Sequence, residues 1–148
     1  MTPTQRGLRD SLAGAPARAA ALAAAAARSP DLPPAPGEWS AREVVLHLAA
    51  VDEEVWHPRL DALVADAFPH WAWVEPGPWA GAGGETFAGA VAVFGERRAA
   101  TIARLDALDY AGWAKVGRHE TFGLLDVAAL LQIALDHDEE HLAQIAAG

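Results

Sequence analysis

Between Asp126 and Ala147 the residues Val127, Leu130, Ala134, His137, His141 and Gln144 recur in steps of three and four. That period puts all six on one face of an α-helix, the face that turns toward a core. A chain carrying such a stripe has to supply further helices to cover it. Yet the stripe ends in two imidazoles and an amide, which need partners where they sit. Histidines at i and i+4 have Cβ atoms roughly 5–6 Å apart, so both can converge on one metal ion. The plainer reading of Asp136-His137-Asp138-Glu139-Glu140-His141 is two solvated histidines with salt-bridge partners.

The same spacing organises the rest of the chain. Leu8, Leu12, Ala15, Ala19, Leu22 and Ala26 predict a first helix from about Gln5 to Arg28, with Gly14 and Pro16 marking a kink or a later start. A proline-rich connector follows from Ser29 to Gly37. Ser40 and Glu43 form a capping box that opens a second helix. On it Val44, His47, Val51 and Glu54 share a stripe, and His57-Pro58 should bend or briefly break the helix before it continues to about Phe68. A third helix is expected from Glu85 or Thr86 to Leu108, with Phe87, Val91, Phe94, Arg98, Thr101, Leu105 and Leu108 on its seam. Asp126 then caps the last helix. Four helices and no alternating strand pattern predict an all-α, four-helix bundle formed as a single domain over residues 1–148.

Two segments lie outside the helices. Pro69 to Gly84 is a loop rich in tryptophan, proline and glycine, holding Trp71, Trp73 and Trp79. Its tryptophans should cover the bundle end, with a pocket wall or a subunit contact as alternatives; Trp71 and Trp73 are the candidate binding residues. Asp109 to Gly123 is read as a second irregular loop, with Trp113 and His119.

Charge and composition narrow the chemistry. At 148 residues the chain is long enough to bury a core, although much of its 52% hydrophobic content is alanine. A net charge of −9 argues against nucleic acid and anionic membrane surfaces as partners, since both call for a basic patch. The chain has no cysteine, so thiolate metal sites, disulfides and a cysteine nucleophile are excluded. The alanine run from Ala19 to Ala27 lies between Arg18 and Arg28 and lacks the leucine density of a signal peptide. A cytoplasmic protein acting on a small-molecule substrate is the expectation.

Any metal must therefore be held by histidine and carboxylate. His47 from the second helix and His137 and His141 from the fourth all come from inward stripes, and facing helices are a usual place for such a site. Three imidazoles leave a divalent ion with open positions, as catalytic sites do. Glu54 points the same way as His47 and is read as ligand, base, acceptor of a hydrogen bond from a ligand, or simply a wet polar group. Gln144 could orient an imidazole or be equally wet. Arg98 either packs its stem while the guanidinium reaches water or anchors an anionic substrate. His57, His70 and His119 lie near breaks or loops and look like surface residues.

Two blocks carry a family likeness. Gly37-Glu38-Trp39-Ser40, with Glu43-Val44-Val45 and His47-Leu48, resembles the start of helix two in the DinB-like (DinB/YfiT) superfamily. Phe122-Gly123, with His137, His141, Leu142, Ala143, Gln144 and Ile145, resembles that family's final helix. The resemblance implies a four-helix bundle of unusual connection order and frequent homodimers. It also implies a three-histidine site for nickel, zinc or a similar divalent ion, its ligands falling on His47, His137 and His141. Some relatives are thiol-dependent S-transferases or isomerases using a low-molecular-weight thiol; others are described as metal-dependent hydrolases or linked to stress. Members active in ergothioneine biosynthesis carry a glutamate where this chain has Ala143. The expected function is a metal-dependent enzyme, working by thiol S-transfer or by metal-activated water. The alternative is a non-catalytic stress-response or binding module whose histidine site is structural.

Overall fold

A computed structural model describes residues 1–65 and 68–148. Four long helical segments pack as a bundle: α1 (Pro3–Ala25); α2 (Ala41–Val51) continued through a π turn (Asp52–Trp56) into α3 (His57–Val64); α4 (Phe87–Asp106); and α6 (Val127–Ala146). A one-turn helix α5 (Tyr110–Trp113) sits between α4 and α6. α1 packs on α6 and α4, and α2 packs on α4 and α6.

The starts of these helices follow from side chains that satisfy otherwise orphaned N–H groups. Ser40 accepts from Glu43 N–H while Glu43 accepts from Ser40 N–H, the expected capping box. Asp126 accepts from Ala129 N–H at the start of α6, and Thr86 accepts from Gly89 N–H at the start of α4. α1 begins earlier than its apolar spacing suggests, because Thr2 and Gln5 make a capping box of their own. It also runs unbroken through Pro16. Proline at that position removes the N–H that would bond the Leu12 carbonyl, and Arg98 Nη1 donates to that carbonyl instead at 2.8 Å.

The expected break at His57-Pro58 takes the form of the π turn just before it. One extra residue is accommodated there, and helical residues continue to Val64. Asp66 and Ala67, on which the expected end of this helix falls, lie outside the described residues; Phe68 beyond them has a positive φ of 43°.

The second irregular loop of the sequence reading is in fact ordered. β2 (Val116–His119) pairs antiparallel with β3 (Gly123–Asp126), and β1 (His70–Trp71) from the tryptophan loop pairs parallel with β2. Strands this short leave no alternation to detect. Gly117 is required in β2, since a Cβ there would stand 2.5 Å from the Trp71 ring.

Two apolar clusters fill the interior. One gathers Leu12, Val55, Leu63, Leu105, Leu130 and Leu131; the other gathers Ala19, Val45, Leu48, Phe94 and Leu142. Buried polar residues, among them His47, Asp52, Arg98, Thr101, Asp138 and His141, complete the interior. No described helix is long and apolar enough to cross a membrane.

Candidate metal centre

The π turn decides which residues of the second helical segment face the centre. In an unbroken α-helix Glu54 would follow His47 on the same face. With the extra residue, the sequence lining the cavity runs His47, Val51, Val55 and Arg59, in steps of four. Glu54 is displaced to the exposed surface and is not brought to the histidines, so the ligand and base readings of it fail. Its exposure is the wet-residue outcome.

His47, His137 and His141 do meet. Their ligating nitrogens all lie within 4.8 Å of one another. His137 Nε2 lies 3.3 Å from His47 Nε2 and 3.2 Å from His141 Nε2. His47 Nδ1 stands 2.7 Å from the Pro76 carbonyl, which can only accept, so Nδ1 carries the proton and Nε2 is a bare lone pair. His141 Nδ1 donates to Gln144 Oε1 at 2.8 Å, with the same consequence. Gln144 thus orients an imidazole, one of the two roles its spacing allowed. Trp39 packs at a tilt against His47, 4.8 Å between centroids.

Burial holds His47 below its ordinary pKa, with the His141 charge adding to the effect. His137 falls further, to about 3, through burial and then the charges of His141, His47 and Arg98. Neutral His137 has at most one Nε2 proton to share between two neighbours that both present lone pairs. The arrangement is unfavourable among imidazoles alone and favourable around a cation. A tetrahedral ion with metal–nitrogen bonds of 2.0–2.1 Å separates its ligands by about 3.3–3.4 Å. The two contacts at His137 lie close to that edge, and all three nitrogens lie within 4.8 Å of one another. The three-histidine group could hold a divalent metal ion.

Beside the histidines opens a cavity of about 240 Å³. Val51, Val55, Trp56, Ile133, Trp73 and Phe122 give it apolar walls, and Glu75, Asp136 and Glu140 bring carboxylates to it. Trp73 is therefore a pocket wall, its indole N–H donating to Glu75. Trp71 is absent from the lining and packs against the Arg59 guanidinium instead. Trp79 takes the covering role, packing onto the alanine-rich cluster.

Arg98 is corrected on both of its readings. Its side chain is 2% exposed, so the guanidinium does not reach water. All five of its N–H groups are taken, by Asp52, Asp138 and the Leu12 carbonyl, so no donor remains for a substrate. The Thr101 hydroxyl donates to Asp52, and His57 Nε2 donates to Thr101. His57 is thereby buried rather than a surface residue. His119, also expected at the surface, is 1% exposed, with Thr121 and Phe122 N–H groups donating to its Nδ1. His70 is exposed, as expected. Asp52 and Asp138 were the missed residues, though a charge on a helix seam is a signal that buried acids accompany it. Pro76 offered no signal, because its contribution is a backbone carbonyl.

A family model of the DinB superfamily matches residues 11–145. Among solved structures, the chain is similar to YfiT from Bacillus subtilis, described as "a probable metal-dependent hydrolase with an unusual four-helix bundle topology". The likeness has a TM-score of 0.74 at 20% identity and covers 99% of this chain and 86% of that one. At that identity it bears on the fold. No curated protein matches the chain.

Proposed function

The chain belongs to the DinB superfamily, and from that premise we propose that it is a divalent-metal-dependent hydrolase of a small substrate. The observation that carries this reading is the convergence of His47, His137 and His141, the first two of which line an open cavity. When bound, such an ion supplies Lewis acidity and a nucleophile ionised near neutral pH. His47 and His141 would hold it in fixed tautomers, anchored through Pro76 and Gln144. His137 would complete the set. Trp39 shields one face of His47, and the apolar walls exclude water from the substrate's non-reacting part. With Glu54 out of reach, the carboxylates of Glu75, Asp136 and Glu140 are the proton acceptors on this cavity. The likeness to YfiT, a probable metal-dependent hydrolase, supports the reaction class.

Cavity size favours this reading over thiol S-transfer. At about 240 Å³ the space lies below the roughly 300–1,000 Å³ of pockets that enclose drug-sized ligands. It takes one small substrate more readily than a thiol cofactor and an electrophile together. One observation favours the thiol reading in second place: no carboxylate hydrogen-bonds the histidine cluster among the described residues, and a coordinated thiol ionises without a base. A non-catalytic, structural role is disfavoured by the cavity itself, since structural sites are closed.

Metal-loaded protein, assayed on small esters and amides with and without added thiol, tests the proposal. Turnover without thiol that disappears together with the metal in His141→Ala supports hydrolysis. Turnover only with thiol transfers the proposal to S-transfer, and turnover that survives in the metal-free variant overturns both.

A further inference from the structure

The sequence offers Arg98 as an anchor for an anion, but the structure leaves a different arginine in that position. Arg59 is 7% exposed and lines the cavity beside the histidines. Its Nη2 donates to the Ala72 carbonyl at 2.9 Å. Its guanidinium lies 5.7 Å from the centroid of Trp56 and 5.5 Å from that of Trp71. Among the described residues it makes no ion pair, in contrast to Arg98 with its two carboxylates. A buried charge ordinarily has a counter-ion, because removing it from water costs several kcal/mol.

Two further donors nearby lack acceptors. Trp56, also on the cavity, is 5% exposed and its buried Nε1–H has no partner. His119 has Nδ1 occupied as an acceptor, so its proton is on Nε2, and that buried N–H has no partner either. His119 meets the Trp73 ring edge-on and the Phe122 ring at a tilt, both of them walls of the cavity, and burial, followed by the charge on Arg59, lowers its pKa. Such orphaned donors are rare in folded proteins and call for an explanation. The cavity's carboxylates are not that explanation. Glu75 and Glu140 act on His47, whereas burial is the one influence on the Arg59 pKa, with no neighbouring carboxylate opposing it. The cavity thus carries two kinds of group: metal ligands with the acids that act on them, and, apart from these, Arg59 and Trp56 with no acidic partner.

We infer that the Arg59 end of the cavity is an oxyanion-binding subsite, built to receive the carboxylate of a small substrate whose apolar middle lies between Val51, Val55 and Ile133. The inference rests on the histidine end being the reacting end, and adds the substrate class: a short, singly charged carboxylic acid bearing a hydrolysable group at its far end. The planar guanidinium fork suits a carboxylate, and Glu75 and Glu140, which act on His47, set the orientation by repulsion. The π turn that removes Glu54 from this face is also what brings Arg59 onto it.

Metal-free protein is used for the test, because a carboxylate can also ligate a metal. Hexanoate and its neutral isostere hexanamide are titrated while the Trp56 indole N–H resonance is followed by NMR. The subsite predicts that hexanoate shifts this resonance and binds at least about tenfold more tightly than hexanamide. Arg59→Met should abolish the preference, and Arg59→Lys should keep part of it. The preference should persist in His141→Ala, where the metal centre is broken, so failure of the metal reading and failure of this one are separate results. Equal affinities for the two probes in the parent protein, or an unchanged preference in folded Arg59→Met, would overturn the inference.

Discussion

Around Arg98, five N–H donors meet carboxylate and carbonyl oxygens, each with a partner of opposite sense. Around His137, three ring nitrogens meet at 3.2 and 3.3 Å with at most one proton among them. The two clusters are neighbours, since Asp138 follows His137 on α6, yet their chemistry is opposed. The first is closed: it joins α1, α2's continuation, α4 and α6, and has nothing left for a ligand. The second is open, and it is satisfied only when something positive enters. Polar groups in the interior of one bundle thus divide into those that hold the helices together and those that those helices hold ready.

The sharpest break of this comparison is Arg98→Ala. It leaves Asp52 and Asp138 buried without a counter-charge and should cost about 3–5 kcal/mol in urea denaturation. A loss below about 1 kcal/mol would remove the distinction between the clusters. His137→Leu should act in the reverse way. Metal binding is expected to vanish in titration calorimetry, while the metal-free protein melts no lower than the parent, because an unfavourable lone-pair contact is replaced by apolar surface.

Next in size is Gln144→Leu, which frees the His141 ring without removing a ligand. Metal affinity should fall about 10–100-fold, and a change within twofold would show that Gln144 does not set the tautomer.

A smaller effect is expected from pH at His57. Burial, aided by the Arg104 charge, holds its pKa below the ordinary 6.5, so the unfolded chain binds the proton more readily. The associated stability is therefore fully present above about pH 6.5 and is lost as pH falls through the folded-state pKa. Melting temperatures of metal-free His57→Gln between pH 7 and 5 should decline less steeply than those of the parent. The smallest effect belongs to Glu54→Gln, which should leave metal affinity unchanged, since the side chain lies on the surface.

Much of the architecture was legible because local signals and global packing agree. Ser40 with Glu43 and Asp126 mark helix starts by satisfying specific N–H groups, and the i, i+4 pair His137 and His141 follows from helical geometry alone. What escaped depends on register or on distant partners. Glu54 and Arg59 exchange places on the cavity face because of one extra residue in the π turn, which no apolar periodicity announces. Arg98 was placed on the correct seam but with the wrong surroundings, since its acids come from other helices. Pro16 read as a kink or a later start because its effect on the Leu12 carbonyl is visible, whereas the arginine that repairs it is not. His57 sits beside a proline that suggested exposure, but the helix passes through and buries it against Thr101.

The measurement that bears most directly on the central claim is a calorimetric titration of nickel and zinc into tag-free, metal-stripped protein, beside the combined His47→Ala, His137→Leu and His141→Ala variant. The account predicts about one tightly bound ion per chain in the parent, as a single histidine site allows, and none in the variant. An ion bound equally well by both, or no binding by the folded parent, would contradict it.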